Sequence, residues 1–283
     1  GTRAPRLELR GRDGNIGFAH NKLFFINPGS ERPRIVFSSG NLSSGLVTHH
    51  ENWHFVAPKP NTHFARAHVC LMDGMLSHAG SKKEYGDYVR GCREASGIRE
   101  EADVRSFFVP GQGGLARQAI IDTFGRSRAA GIAAHRFSDR RLREALLLRL
   151  EAPAPPALRI VVDDDVHWAG RGLGLGLNTS EERGYVEALA EAGAEVRYVE
   201  TNHGTRQLHH NKFVVFDTSA GPAAFVGAGN FTASAFGDNL ENFYFVTIPH
   251  VAEAMREQHR RLFEELGTPV EALPAVDVLP PSR

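Results

Sequence analysis

Two stretches of this chain repeat each other, and the repeat limits what the chain can fold into more than any other feature. Residues 19–27 read AHNKLFFIN and residues 209–217 read HHNKFVVFD. Each is followed by a strand-like run and a small-residue turn, IVFSSGNLS at 35–43 and AFVGAGNFT at 224–232, and then by ENWHFV at 51–56 and ENFYFV at 241–246. The acidic residue follows the first histidine at one fixed distance, from 20 to 51 and from 210 to 241, 31 residues in each copy. Two copies of one fold unit explain this spacing.

The residues between the copies say what kind of unit it is. SFFVP (106–110), AAGIAAHRF (129–137), LRIVVDD (158–164) and AEVRYVE (194–200) read as strands. GLARQAIIDTFGRSR, DRRLREALLLRL and SEERGYVEALAEAG read as helices between them, the last with Ser180 as its N-cap. Alternating elements of this kind predict an α/β fold with a mixed β-sheet flanked by helices on both faces. After the second ENFYFV, HVAEAMREQHRRLFEEL reads as a closing helix, matched in the first copy by the segment that begins THFARAHVCLMDGML. The expected division is a first lobe with a connecting helix over 1–104 and a second lobe over 105–283. Only 19 residues precede the first HNK, against the βα units of 105–208 before the second, so the first lobe is expected to be incomplete at its N-terminus. The chain also begins at Gly1 without a methionine, which suggests an upstream segment.

His50-Glu51-Asn52-Trp53-His54 matches the HExxH pattern of zinc proteases. That pattern needs a helix, where positions i and i+4 face one metal. Trp53, Phe55, Val56 and the following Pro-Lys-Pro predict a strand ending in a loop, and on a strand the two histidines stand roughly 13 Å apart at about 3.3 Å per residue. The second copy keeps the acid as Glu241 but has Leu240 and Tyr244 at the histidine positions. Glu51 is therefore the shared element, and no metal site is expected.

On a strand, His210 and Lys212 point to one face roughly 6.6 Å apart, as do His20 and Lys22. A histidine beside a lysine, with an asparagine amide from the neighbouring turn (Asn41, Asn230), suits a phosphate group: charge from Lys, a neutral N–H donor from Asn, a nucleophile or proton donor from His. Glu51 and Glu241 could each accept the second ring N–H of a histidine and fix its tautomer. At these residues the sequence resembles the phospholipase D superfamily, whose signature is HxKxxxxD, then GSxN, then an acidic residue. His210-x-Lys212-xxxx-Asp217 fits the first part, and Gly227-Ala228-Gly229-Asn230 fits the second with Ala for Ser. In the first copy Asn27 stands where Asp is usual, and Ser38-Ser39-Gly40-Asn41 has Ser for the first Gly.

The resemblance implies two pseudo-twofold related lobes, one active site at their interface, and no metal or other cofactor. It implies that His20, Lys22, Asn41, Glu51, His210, Lys212, Asn230 and Glu241 are catalytic, with Asn27, Ser39 and Asp217 supporting. It further implies that Glu241 holds His20 and Glu51 holds His210, and that one histidine, assigned as His20, attacks phosphorus while the other protonates the leaving oxygen. The expected partner is a phosphodiester substrate, a phospholipid or a nucleic acid, with no obligate protein partner. The expected activity is a phosphodiesterase acting on a phospholipid or related diester; the alternatives are a nuclease and a non-catalytic binding relative.

Lys plus Arg equals Asp plus Glu at 33 each, which gives no global field to mark a nucleic-acid binder. No apolar run reaches the length of a membrane span. Cys70 and Cys92 fit no metal spacing and read as two separate thiols, with a single bridge as the alternative. GRGLGLGL (170–177) reads as a loop, Asp163 to Asp165 as a solvated turn with cleft lining or cation binding as alternatives, and the arginines of 136–149 as the polar face of a surface helix. His203 and His209 read as structural or pocket-shaping histidines.

Overall fold

A computed structural model describes residues 13–169, 180–199 and 208–273. The GRGLGLGL stretch and His203 lie outside the described residues. The first copy forms a three-stranded antiparallel sheet of β1 (Leu23–Ile26), β2 (Arg34–Ser38) and β3 (Trp53–Val56). Two helices follow, α1 (His63–Ser77) and α2 (Lys82–Ser96). Thr62 and Ser81 cap their N-termini by accepting from the main-chain N–H three residues on, and Gly97 ends α2 in the left-handed region at φ 69°.

The second copy belongs to an eight-stranded sheet. Its strands are β4 (Val104–Val109), β5 (Ser127–Ala134), β6 (Ala157–Asp163), β7 (Glu195–Val199), β8 (Lys212–Thr218), β9 (Gly221–Gly227), β10 (Glu241–Val246) and β11 (Gly267–Thr268). Their order is β11-β7-β6-β5-β8-β9-β10-β4. β5, β6 and β7 are parallel neighbours and the remaining pairings are antiparallel, which is the mixed α/β sheet that the alternating pattern predicts. The helices are α3 (Gly113–Arg126), α4 (Arg140–Leu150), α5 (Asp165–Ala169), α6 (Ser180–Glu191), α7 (Ala233–Gly237) and α8 (Pro249–Arg261). Ser180, expected to cap α6, is its first helical residue.

The three strands β1-β2-β3 have the order and antiparallel pairing of β8-β9-β10. The two units share a core between them, where Ile35, Phe37 and Phe64 of the first meet Phe213, Val215, Tyr244 and Met255 of the second. The outer face of the large sheet is buried by Ile120, Phe124, Leu142 and Leu146 against Ile132, Ile160, Val214 and Phe216. At the positions equivalent to Val214 and Phe216, the first unit exposes Phe24 and Ile26, because β1 carries no such helical cover among the described residues.

Three expectations are corrected. Asp163, Asp164 and Asp165 are buried where β6 meets α5 rather than solvated, with Asp163 Oδ2 accepting the His209 main-chain N–H at 2.6 Å. Burial, reinforced by its two neighbours, raises the Asp163 carboxyl well above the usual range. Among the arginines, Arg136 is buried beside Glu182 at 3.2 Å, although Arg140 does lie on an exposed face paired with Glu144.

Cys70 and Cys92 are paired in a disulfide joining α1 to α2, rather than being separate thiols. The bridge closes 22 residues of chain, so it restricts the unfolded state by about 3 kcal/mol. Replacing both cysteines by alanine should lower unfolding stability by about that amount in a denaturant titration. An unchanged midpoint would mean that the bridge adds nothing to the fold.

Candidate active site

The main chain itself brings the two copies together. Ala19 forms a parallel bridge with Leu240, and His50 one with His209. In the first, the His20 N–H donates to the Leu240 carbonyl at 3.0 Å; in the second, the His210 N–H donates to the His50 carbonyl at 3.1 Å. Each bridge sets the histidine of one unit beside the glutamate of the other.

The side chains follow from that register. His20 Nδ1 lies 2.9 Å from both carboxylate oxygens of Glu241, and His210 Nδ1 lies 2.6 Å from Glu51 Oε1. A carboxylate only accepts, so the ring N–H belongs on Nδ1 and the lone pair of the neutral ring on Nε2. The dyads differ in enclosure: the His20 side chain is 22% exposed and that of His210 5%. Burial first, and then the cations Lys212 and Lys22 with His49 and His20, push His210 far below the ordinary histidine range.

Each glutamate has its own support. Glu51 Oε2 accepts from Ser39 Oγ at 2.5 Å, and Glu241 Oε1 accepts from Asn239 Nδ2 at 3.1 Å. Ala228, which takes the place of Ser39 in the second copy, has no hydroxyl to offer, and Asn239 fills that role from the other side. Burial raises the Glu51 carboxyl, while Lys212 and the Ser39 hydroxyl oppose that rise. Gly40 and Gly229 let the turns pass beside the acids: a Cβ on either would sit 3.2 Å from the carboxyl carbon of Glu51 or Glu241.

Lys22 and Lys212 are buried, and their ammonium groups donate to the main-chain carbonyls of His20 and His210. Desolvation brings Lys22 down to about 8 against the pull of Glu241 and Glu51, and takes Lys212 well below its usual value. Asn230 is half-buried, and its Oδ1 has no hydrogen-bond partner among the described residues; Asn41 is exposed. Asn27 and Asp217 stand at the far ends of β1 and β8. Asn27 turns the hairpin with φ 53°, and Asp217 pairs with Arg128 at 3.0 Å on the surface.

The zinc pattern dissolves as the strand reading requires. His50 is held through its main chain, and His54, kept neutral by burial that lowers it to about 4, donates to Asn52 Oδ1 at 3.1 Å and stacks on Phe37.

Sequence reasoning missed four asparagines that tie the copies together. Asn21 Nδ2 donates to Asn242 Oδ1 at 3.1 Å, and Asn52 Nδ2 donates to Asn211 Oδ1 at 3.0 Å. Asn211 also donates to the His50 carbonyl, and Asn242 accepts the Lys22 main-chain N–H. The signal was in the repeat: both copies read H-N-K and E-N. His209, whose ring is fully buried, and Asn239 complete the surroundings.

The family model described as "Cardiolipin synthase, PLD-like domain" matches residues 126–263. No curated protein sequence matches the chain. Among solved structures, phosphatidylserine synthase from Haemophilus influenzae Rd KW20 is similar at TM-score 0.61 and 14% identity, over 91% of this chain and 64% of that one. Nuc from Salmonella typhimurium (TM-score 0.45, 19% identity) aligns with 59% of this chain and 96% of its own. NucT from Helicobacter pylori (TM-score 0.47, 16% identity) aligns with 59% and 98%.

With its amine brought down to about 8 by burial, Lys22 would make any anion binding at this site pH-dependent. The protonated amine attracts a phosphodiester, whose own charge is fixed in this range, and the neutral amine does not. Affinity for a simple dialkyl phosphate, followed by calorimetry, should be constant at acid to neutral pH and fall as pH rises through about 8. Lys22→Met should bind weakly at every pH without that fall. A wild-type affinity that stays flat up to pH 10 would contradict the assignment.

Proposed function

Because residues 126–263 match a PLD-like domain model and the histidine dyads repeat the phospholipase D pattern, we propose that the chain cleaves or transfers a phosphodiester through a phosphohistidine at the two dyads, with a phospholipid or related diester as substrate. The observation that carries this reading is the exchange of glutamates: Glu241 on His20 and Glu51 on His210, with Lys22 and Lys212 buried and donating to the main-chain carbonyls of the same histidines. Glu241 orients His20 so that Nε2 presents its lone pair to phosphorus. As the new N–P bond forms, the leaving P–O bond breaks and its oxygen takes a proton from the other imidazole. That imidazole, now neutral, accepts a proton from water or an alcohol, whose oxygen attacks phosphorus and restores the free ring. The lysines and the asparagine amides of Asn41 and Asn230 would hold the non-bridging oxygens, whose negative charge grows in the transition state.

Two features favour a phospholipid. The matched domain model is of the cardiolipin synthase type. The turn that follows Asn41 carries the exposed apolar side chains Leu42, Leu46 and Val47, of which Val47 is 88% exposed. A nucleic-acid substrate is the alternative. Rates on phospholipid vesicles and on single-stranded DNA separate the two: turnover of DNA with inert vesicles would overturn the preference for lipid.

Attack is assigned to His20, which the family resemblance nominates and which keeps a fifth of its side chain open to an approaching diester. The enclosed, neutral ring of His210 favours the reverse assignment as a second reading. Quench-trapping with a phosphorus-labelled p-nitrophenyl diester distinguishes them, because that leaving group needs no proton. His210→Ala should retain label and His20→Ala none; the opposite pattern would move attack to His210, and label on neither would remove the covalent intermediate. Activity should also survive excess chelator, since Lys and Asn rather than a metal bind the phosphate. Loss under EDTA with recovery on adding zinc would contradict that.

A further inference from the structure

The two copies depart from each other at one position beside the glutamates. Counting from the acid, His49 stands where the second copy has Asn239, two residues before Glu51 and Glu241 respectively. Asn239 completes a hydrogen bond to its glutamate. His49 does not: its Nδ1 lies 3.7 Å from Glu51 Oε1, and this buried nitrogen has no hydrogen-bond partner among the described residues. The His49 ring packs over Gly45, which leaves no room for a Cβ there, and its centroid is 5.4 Å from that of His210.

Three donor atoms therefore converge from both units. His49, Glu51 and His210 each offer one ligand atom, and these atoms all lie within 4.8 Å of one another. A tetrahedral ion with bonds of about 2.0–2.1 Å needs donors roughly 3.3 Å apart. The two separations to Glu51 Oε1, 2.6 Å from His210 and 3.7 Å from His49, fall on either side of that value. Two imidazoles and one carboxylate form a donor set suited to Zn²⁺ and its neighbours rather than to Mg²⁺ or Ca²⁺. The lysine amines, which would repel a cation, are turned to the main-chain carbonyls of His20 and His210.

We propose that His49, Glu51 and His210 form an inhibitory binding site for Zn²⁺ across the two units, distinct from the HENWH pattern that contributes only its glutamate. Binding exchanges the hydrogen bond between His210 Nδ1 and Glu51 for two metal bonds. Zinc takes the Nδ1 lone pair, and the Nδ1 proton moves to Nε2 of the same ring, so no proton is gained or lost. A His210 with Nε2 protonated and Nδ1 on the metal cannot attack phosphorus, and it would have to become an imidazolate to act as an acid. Inhibition follows for either assignment of the two histidines. Metal binding stands on geometry alone, whereas the inhibition rests on the diesterase reading above.

The test is equilibrium dialysis of the chelator-treated protein against ⁶⁵Zn²⁺, alongside diester hydrolysis with and without zinc. His49→Asn copies the arrangement of the second unit, and His49→Ala is a second variant should the first fold poorly. The wild type should bind one ion in this site and lose hydrolysis as it fills, with recovery on chelation. The variants should hydrolyse at the zinc-free wild-type rate and bind zinc more than about tenfold more weakly, a loss that removing a mere supporting group around a metal already causes. Equal zinc affinity in wild type and both variants, or no binding by the wild type, would overturn the site. Zinc bound in a His49-dependent way to a protein that hydrolyses no diester would keep the metal site and remove the proposed function instead.

Discussion

The site depends on two short main-chain bridges, Ala19 to Leu240 and His50 to His209. Each joins the residue before a histidine to the residue before the glutamate of the other copy. A shift of one residue in either bridge would turn the side chains to the opposite face and separate the dyads, since alternation along an extended chain has a period of two. The asparagine pairs Asn21–Asn242 and Asn52–Asn211 oppose such a shift, because each is two residues beyond the bridge and buried or half-buried amides are costly to leave unpaired. Register, not the histidines themselves, makes one site from two units.

What the bridges assemble is costly to bury. Two lysines, two glutamates and an enclosed histidine share a space with little solvent, and burial drives the lysines and His210 toward their neutral forms. A buried, hydrogen-bonded set of this kind contributes less to stability than apolar packing of the same volume would. It persists because the core between the units, with Phe37, Phe213 and Tyr244, supplies the packing around it.

The HxK, Gly-Asn and Glu residues of this site were legible in the sequence because they occur twice at one spacing, and duplication turns a common tripeptide into a specific signal. Strands β4 to β8 were legible from apolar runs, and the HENWH pattern was discounted because Trp53 to Val56 cannot be helical. The tying asparagines were also written twice, but each acts through its counterpart in the other copy, and nothing in the sequence says which residues of the two copies face each other. Asn239 and the His49 difference were invisible for another reason: their meaning lies in a distance to a glutamate, and sequence carries no distances. The buried state of Asp163 to Asp165 was misread because three consecutive acids favour solvent unless main-chain donors such as His209 N–H reach them. The cysteine pairing depended on how α1 lies beside α2, which no spacing rule supplies.

The central claim is that each histidine is held by the glutamate of the other unit. Proton NMR of ¹⁵N-histidine-labelled protein tests it most directly, since an imidazole Nδ1–H bonded to a buried carboxylate is shifted downfield and protected from exchange. Two such resonances are expected, the one from His210 lost in Glu51→Gln and the one from His20 lost in Glu241→Gln, each substitution leaving the other resonance in place. Loss of the His20 resonance in Glu51→Gln and of the His210 resonance in Glu241→Gln, or no effect of either substitution, would contradict the crossed pairing on which the site is built.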